Sequence, residues 1–223
     1  MAEPVQIAID GPASSGKGTV AREVARRLGY AYIDTGAMFR VVALVAEENG
    51  VAWTDEQRVS ELAESIDIDF AVFQGERQLT VGGRPLSDRI RGEHIGSGAS
   101  AVATFPAVRK ALLERQRALA SRGGVVMDGR DIGSVVLPDA QLKIYLDASV
   151  AVRASRRHAE MRARGERVSL DAVRADIIAR DHQDKNRRHA PLVRAEGAVY
   201  IDTSHQTVEE AAAAIAALAR ERS

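Results

Sequence analysis

The sequence has no cysteine among its 223 residues, which removes disulfide scaffolds, thiol nucleophiles and thiolate metal sites together. It has no excess of charge either. Thirty-one basic and 31 acidic residues cancel, so no global positive field points to nucleic acid or a membrane surface, and any anion site must be local. The longest apolar run, Ala211 to Ala219, is too short to cross a bilayer. The first predicted strand begins at Val5, which leaves no room for the charged and apolar regions of a leader. These absences set the expectation of a soluble, cytoplasmic protein. The five histidines, His94, His158, His182, His189 and His205, show no metal-binding spacing. No G-x-S-x-G nucleophile elbow and no Asn-Lys-x-Asp guanine motif occurs.

What is present begins with the stretch Val5 to Thr19. An apolar run breaks into Gly11-Pro12-Ala13-Ser14-Ser15-Gly16-Lys17-Gly18-Thr19 and then into a helical pattern with Val20, Val24 and Leu28 on one stripe. Gly11 and Gly16-Lys17 stand at the spacing G-x-x-x-x-G-K, in which backbone N–H groups curl around phosphate oxygens while the lysine reaches the β/γ end. The helix that follows directs its positive end at the same anion. An ordinary glycine-rich turn between strand and helix is the bland alternative.

The remaining chain alternates strands and helices. Tyr30 to Ile33 reads as a strand ending in Asp34-Thr35-Gly36, with Asp34 or Thr35 capping a helix through Met38, Val41, Val42 and Val45. Thr54-Asp55-Glu56-Gln57 is a capping-box pattern, with Thr54 as the cap, that opens another helix to about Ser65. Ile66 to Val81 then alternates apolar with polar residues around a turn at Gln74-Gly75-Glu76-Arg77. This predicts an antiparallel hairpin, and with it a small inserted subdomain over roughly 55–100. Helices are predicted from Asp88 to Ala103 and from Phe105-Pro106 to the Gly123-Gly124 stop. Strands follow at 125–128, 142–147 and 198–202, and helices at about 149–164, 169–188 and from Thr207 onward. Five strands mostly separated by helices predict a parallel sheet covered on both faces, and a composition 45% hydrophobic is enough for its core. Ligands bind such sheets at the carboxyl ends of the strands. Those ends carry Gly11 to Thr19, Asp34-Thr35-Gly36 and Asp128-Gly129-Arg130-Asp131.

Two charge features stand out. From Val150 to Arg167, Arg153, Arg156, Arg157, Arg162, Arg164 and Arg167 face only Glu160 and Glu166. Arg153, Arg156 and Arg157 share one helical face. The stretch is either a solvated basic face or a mobile lid whose guanidiniums close over transferring phosphates. The next helix carries Arg180, Asp181, Asp184, Arg187 and Arg188, of which Asp184 and Arg187 either pair with each other or serve a ligand. Asp128 is either a strand-end cap or a carboxylate that poises Mg²⁺ through waters. A reaction that positions phosphates with cations and needs no strong general base fits this inventory.

The motifs resemble a known family. The loop from Gly11 to Thr19 is similar to that of nucleoside monophosphate kinases. Asp34 to Arg40, Gly129-Arg130-Asp131-Ile132-Gly133, and Asp184-Lys185-Asn186-Arg187 with Ala190-Pro191-Leu192 resemble, more narrowly, bacterial cytidylate kinases over about residues 5–205. The resemblance implies ATP-dependent phosphorylation of CMP and dCMP to the diphosphates, with Mg²⁺ held through phosphates and waters rather than by a protein metal site. It implies Gly11, Pro12, Ala13, Ser14, Ser15, Gly16, Lys17, Gly18 and Thr19 at ATP, and Arg40, Arg130 and Arg187 on the acceptor phosphate. Asp184 would hold the sugar hydroxyl, Ser100, Arg109 and Asp131 the cytosine edge, Thr35 and Arg180 the acceptor side, and Arg156 and Arg157 the lid. Lys17, Arg130, Arg156 and Arg157 would then act on the transferring group. Phe39 replaces the tyrosine common in that family, and Ser134 a threonine.

Carried over, the resemblance gives one P-loop kinase domain with a core (about 1–35, 104–150, 169–223), a hairpin-bearing monophosphate-binding insert (about 36–103) and a helical arginine-rich lid (about 151–168). The expectation is a monomer that binds ATP and CMP or dCMP and neither nucleic acid nor membrane. A kinase of the same fold acting on UMP or AMP, or a non-catalytic P-loop nucleotide-binding module, are the alternatives.

Overall fold

In chain order the elements are β1 (Gln6–Asp10), α1 (Lys17–Leu28), β2 (Ala31–Asp34), α2 (Thr35–Glu48), α3 (Glu56–Ser65), β3 (Ile68–Phe73), β4 (Glu76–Val81), β5 (Arg84–Pro85), α4 (Glu93–Val102) and α5 (Pro106–Ala120). They continue with β6 (Val125–Gly129), β7 (Leu142–Asp147), α6 (Val150–Ala163), α7 (Leu170–Asn186), β8 (Val199–Asp202) and α8 (Val208–Arg220). The structure, a computed structural model, describes residues 4–73, 76–85, 90, 92–121 and 123–223. The chain forms two compact units, residues 1–33 with 122–223, and residues 34–121.

The first unit is built on the five-stranded parallel sheet that the apolar runs predict, in the order β2-β6-β1-β7-β8. Strand β1 pairs in parallel with β6 on one side and β7 on the other, so the connection from β6 to β7 steps across it. A crevice at the carboxyl ends of β1 and β6 follows from that reversal. The register sets Asp10 beside Gly129, which places the start of the glycine-rich loop next to the turn that carries Arg130 and Asp131. Alternation along β1 sends Val5, Ile7 and Ile9 to one face, where they pack with Val20 and Val24 of α1 and with Ala211 and Ile215 of α8. On the other face Asp10 meets a single π-helical turn, Ile132–Val136, which no sequence signal marks. Local chemistry sets the helix ends here. Gly29 closes α1 in the left-handed conformation at φ 69°, Ser149 caps α6, and Thr207 with Glu210 forms a full capping box on α8.

The second unit packs α2, α3, α4 and α5 around Met38, Val41, Val42, Val59, Val102, Val108 and Leu112, all fully buried. Asp34 caps α2 by accepting from Ala37 N at 2.9 Å, and Asp55 rather than Thr54 caps α3. The expected hairpin is there, extended by a third short strand: β3, β4 and β5 form an antiparallel sheet. Two expectations shift. Glu76 and Arg77 are ladder residues opposite Phe73 and Val72, not turn residues, so only two positions join the strands, and these lie outside the described residues. The helix expected from Asp88 begins at Glu93, because Gly92 is extended at φ −65° and ψ 151°; residues 86–89 and 91 lie outside the described residues. Gly98 of α4 lies against the indole of Trp53, where a Cβ would stand 2.6 Å from the ring. The Trp53 N–H donates to Ala43 O at 2.9 Å.

Candidate active site

The loop between β1 and α1 is shaped by two positions that most residues cannot occupy. A Cβ on Gly11 would lie 2.0 Å from the backbone oxygen of Leu146, so the loop can carry no side chain there. Gly16 is left-handed at φ 87° and caps α1 without a side chain. Three loop carbonyls are tied back. Lys17 Nζ donates to Pro12 O at 3.3 Å, Arg153 to Ala13 O at 3.0 Å, and Thr203 Oγ1 and Arg156 to Ser15 O at 3.3 and 3.4 Å. A trans peptide points its N–H opposite its carbonyl. The amides of Ala13, Ser14 and Gly16 therefore face away from these anchors, as an anion cradle requires. The Ser15 hydroxyl is buried with no partner among the described residues.

At the neighbouring strand end four charged side chains form a chain of contacts. Arg130 Nε donates to Asp184 Oδ2 at 2.7 Å, Arg187 reaches Asp184 Oδ1 at 3.8 Å, and Arg187 Nη2 donates to Asp131 Oδ1 at 3.4 Å. Burial works against both charges of the first pair. The opposite charges nonetheless hold Arg130 above and Asp184 below their ordinary pKa values. Arg187 is also fixed by a bond to Ala190 O at 2.5 Å. The spacing-based pairing of Asp184 with Arg187 is thus real but is the looser contact; Asp184 is held more closely by Arg130, 54 residues away. Arg180 lies 3.8 Å from Asp176, one turn back on α7. An incoming phosphate would exchange carboxylate partners of these guanidiniums for its own oxygens.

The arginines of α6 do not act as a set. Arg157 contacts Glu160 at 3.3 Å. Arg156 holds the strand end at Thr203, donating to its carbonyl at 2.7 Å as well as to Ser15 O. Arg153 is neither a solvated residue nor a free lid guanidinium: it is 3% exposed and ion-paired with Asp181 at 2.6 Å. Its partner sits on α7, where no helical-spacing rule within α6 reveals it.

The second unit holds Thr35, Arg40, Ser100 and Arg109. Thr35 is buried at the first turn of α2. The Ser100 hydroxyl donates to Gly96 O at 3.2 Å, and Arg109 donates to Ala103 O at 3.3 Å. The Arg109 guanidinium stacks over the Phe39 ring, 5.4 Å from its centroid, so that ring supports Arg109 by its face. Arg40 is half-buried on α2.

Sequence reasoning missed two residues. Asp10 is 2% exposed and accepts from Ile132 N at 2.7 Å and Gly133 N at 2.8 Å. Burial pushes its carboxyl up to about 6, against these two amides and Lys17, while Asp131 adds to the rise. Its signal was a carboxylate ending an apolar strand immediately before the glycine-rich loop. Tyr32 donates to Asp128 Oδ1 at 2.8 Å, which aims a buried carboxylate toward Gly18, 3.9 Å from where a Cβ would stand. Nothing in the alternation of β2 marks it. Among the described residues no group of three or more His, Asp or Glu side chains is arranged to hold a metal, and no helix is long and apolar enough to cross a membrane.

Residues 7–221 match the family model described as cytidylate kinase. A cytidylate kinase of Neisseria meningitidis serogroup C (strain FAM18) is 52% identical over 204 residues, covering 92% of each chain. One of Geobacillus sp. (strain WCH70) is 46% identical over 222 residues, covering 100% of this chain and 99% of that one. Among solved structures, an uncharacterized protein from Eubacterium ventriosum shares the fold at a TM-score of 0.51 and 11% identity, covering 98% of this chain and 99% of the other.

Proposed function

Since the chain belongs to the cytidylate kinase family, we propose that the residues described above carry ATP-dependent phosphoryl transfer to CMP, and to dCMP as well. The reaction joins an oxygen of the acceptor's phosphate to the γ-phosphorus of ATP and breaks its bond to the β–γ bridging oxygen, giving the diphosphate and ADP. An acceptor phosphate is already nucleophilic at neutral pH, so no general base is needed. The work is alignment of two anions and neutralisation of charge.

The amides of the Gly11–Thr19 loop and Lys17 take the donor phosphates. Arg40, Arg130 and Arg187 take the acceptor phosphate, Asp184 the sugar hydroxyl, and Thr35 and Arg180 support the acceptor side. Ser100, Arg109 and Asp131 read the cytosine edge, whose amine and carbonyls suit charged and hydroxyl partners. Arg156 and Arg157 act as lid cations. Mg²⁺ would be held by phosphates and waters, with the Asp128 carboxylate accepting from those waters; buried and pre-aimed by Tyr32, that oxygen donor suits a hydrated magnesium ion. When bound, the ion neutralises charge on the transferring group.

The observation that carries this reading is the register of β1 against β6. It sets the donor loop one step from Arg130-Asp131, and these two are linked through Asp184 and Arg187. ADP release measured with CMP, dCMP, UMP and AMP, with and without Mg²⁺, tests it. CMP and dCMP turnover should exceed the others and need Mg²⁺; a preference for AMP would overturn the cytosine assignment.

A further inference from the structure

Arg153 spends its guanidinium on three separate segments. Nε donates to Ala148 O at 2.9 Å just before α6, Nη1 to Ala13 O at 3.0 Å in the donor loop, and Nη2 to Asp181 Oδ2 at 2.6 Å on α7. The fork is planar and rigid, so the three contacts cannot shift independently. Asp181 stands one helical turn before Asp184 and six residues before Arg187, while its own Oδ1 has no partner among the described residues. A buried ion pair is a costly way to hold two helices together where apolar side chains would serve as well. Its gain here is position.

The contact to Ala13 gives the strut its sense. Ala13 O and the Ser14 N–H belong to one peptide plane. An anion that captures that N–H fixes the plane, and with it the direction in which Ala13 O meets Arg153. Through Asp181 the same guanidinium sets where α7 presents Asp184 and Arg187.

We propose that Arg153 is a positioning residue that couples the two substrate sites: occupancy of the donor loop orders α7 through the Ala13–Arg153–Asp181 thread, so that donor and acceptor nucleotides bind with positive coupling. This rests on the assignment of Asp184 and Arg187 to the acceptor.

The test is calorimetric titration of CMP into the full-length protein, with and without a saturating β,γ-imido analogue of ATP and Mg²⁺. The unmodified protein should bind CMP at least about fivefold more tightly with the analogue present, and the analogue should gain the same factor from CMP. In Arg153→Lys, which keeps the charge but cannot span three acceptors, that factor should fall to within about twofold of unity while CMP affinity alone changes less. Asp181→Ala, which removes the acceptor of the Arg153 Nη2 bond, should lose the coupling likewise and provides the reading if the lysine variant does not fold. A residue with a merely structural role would weaken both titrations together and leave their ratio intact. Full coupling in both variants, or none in the unmodified protein, overturns the strut. Arg187→Ala separates the premise: if CMP affinity is unchanged there, the acceptor assignment itself falls and the proposal with it. If it drops while Arg153→Lys keeps full coupling, only the strut is refuted.

Discussion

The Tyr32 hydroxyl donates to Asp128 Oδ1 at 2.8 Å, across 96 residues of sequence, and so fixes which oxygen of that carboxylate is left facing the donor loop. Tyr32→Phe deletes the donor and keeps the ring beneath Arg22. The Mg²⁺ concentration for half-maximal turnover should rise several-fold, with CMP KM nearly unchanged, since hydrogen bonds that orient a metal's direct ligands govern its affinity by about 10–100-fold and Asp128 acts one water further out. An unchanged Mg²⁺ dependence would remove Tyr32 from the site.

Asp131 holds Arg187 and is assigned to the base. In Asp131→Ala the ratio of kcat/KM for CMP over UMP should drop by at least about tenfold, because a lost polar contact to one base costs about 1–3 kcal/mol of discrimination. Turnover should fall too, since Arg187 loses a partner 3.4 Å away. Kinetics with both nucleotides decide; an unchanged ratio refutes base reading and leaves only the Arg187 contact.

Asp10 should make stability depend on pH. Its folded pKa of about 6 stands above the ordinary 3.8, so the folded protein holds this proton more tightly than the unfolded chain does. Below about pH 4 both states are protonated and the folded state bears no cost; between 4 and 6 stability declines as pH rises; above 6 the cost is complete, at most about 3 kcal/mol. Asn is neutral throughout. Urea midpoints at pH 4 and 7 should therefore fall less for Asp10→Asn than for the unmodified protein, and parallel profiles would contradict the raised pKa.

Gly98→Ala should destabilise the second unit by about 1–3 kcal/mol, the usual range for overpacking, because its Cβ would lie 2.6 Å from the Trp53 ring. A thermal melt followed by far-ultraviolet circular dichroism reads this in every variant, including one that lacks the only tryptophan. Enlarging the site by Trp53→Phe in the same chain should recover part of the loss.

What the sequence discloses is what short-range physics writes. The strand, glycine-rich loop and helix at 6–28 were legible because φ, phosphate spacing and amphipathic period are properties of neighbouring residues. The same holds for the caps at Asp34, Ser149 and Thr207 and for the five apolar strands that make the sheet parallel. The motif residues at 129–133 and 184–192 could be named because they too are contiguous. The third strand of the small sheet escaped notice: two residues after Gly82-Gly83 carry no periodicity.

Tertiary structure decided which charges answer which. Arg153 and Asp181 are 28 residues apart, Arg153 and Ala13 140, and Asp10 and Ile132 122. No local rule pairs residues at such separations. A run of arginines on one helix reads from sequence as one device, yet folding buries Arg153 as a strut, sets Arg156 on Thr203 and leaves Arg157 beside Glu160. Sequence alone therefore determined the phosphate loop, the sheet and the kind of charge available. Only the fold chose partners, because burial makes a charge seek the nearest opposite one in space rather than along the chain.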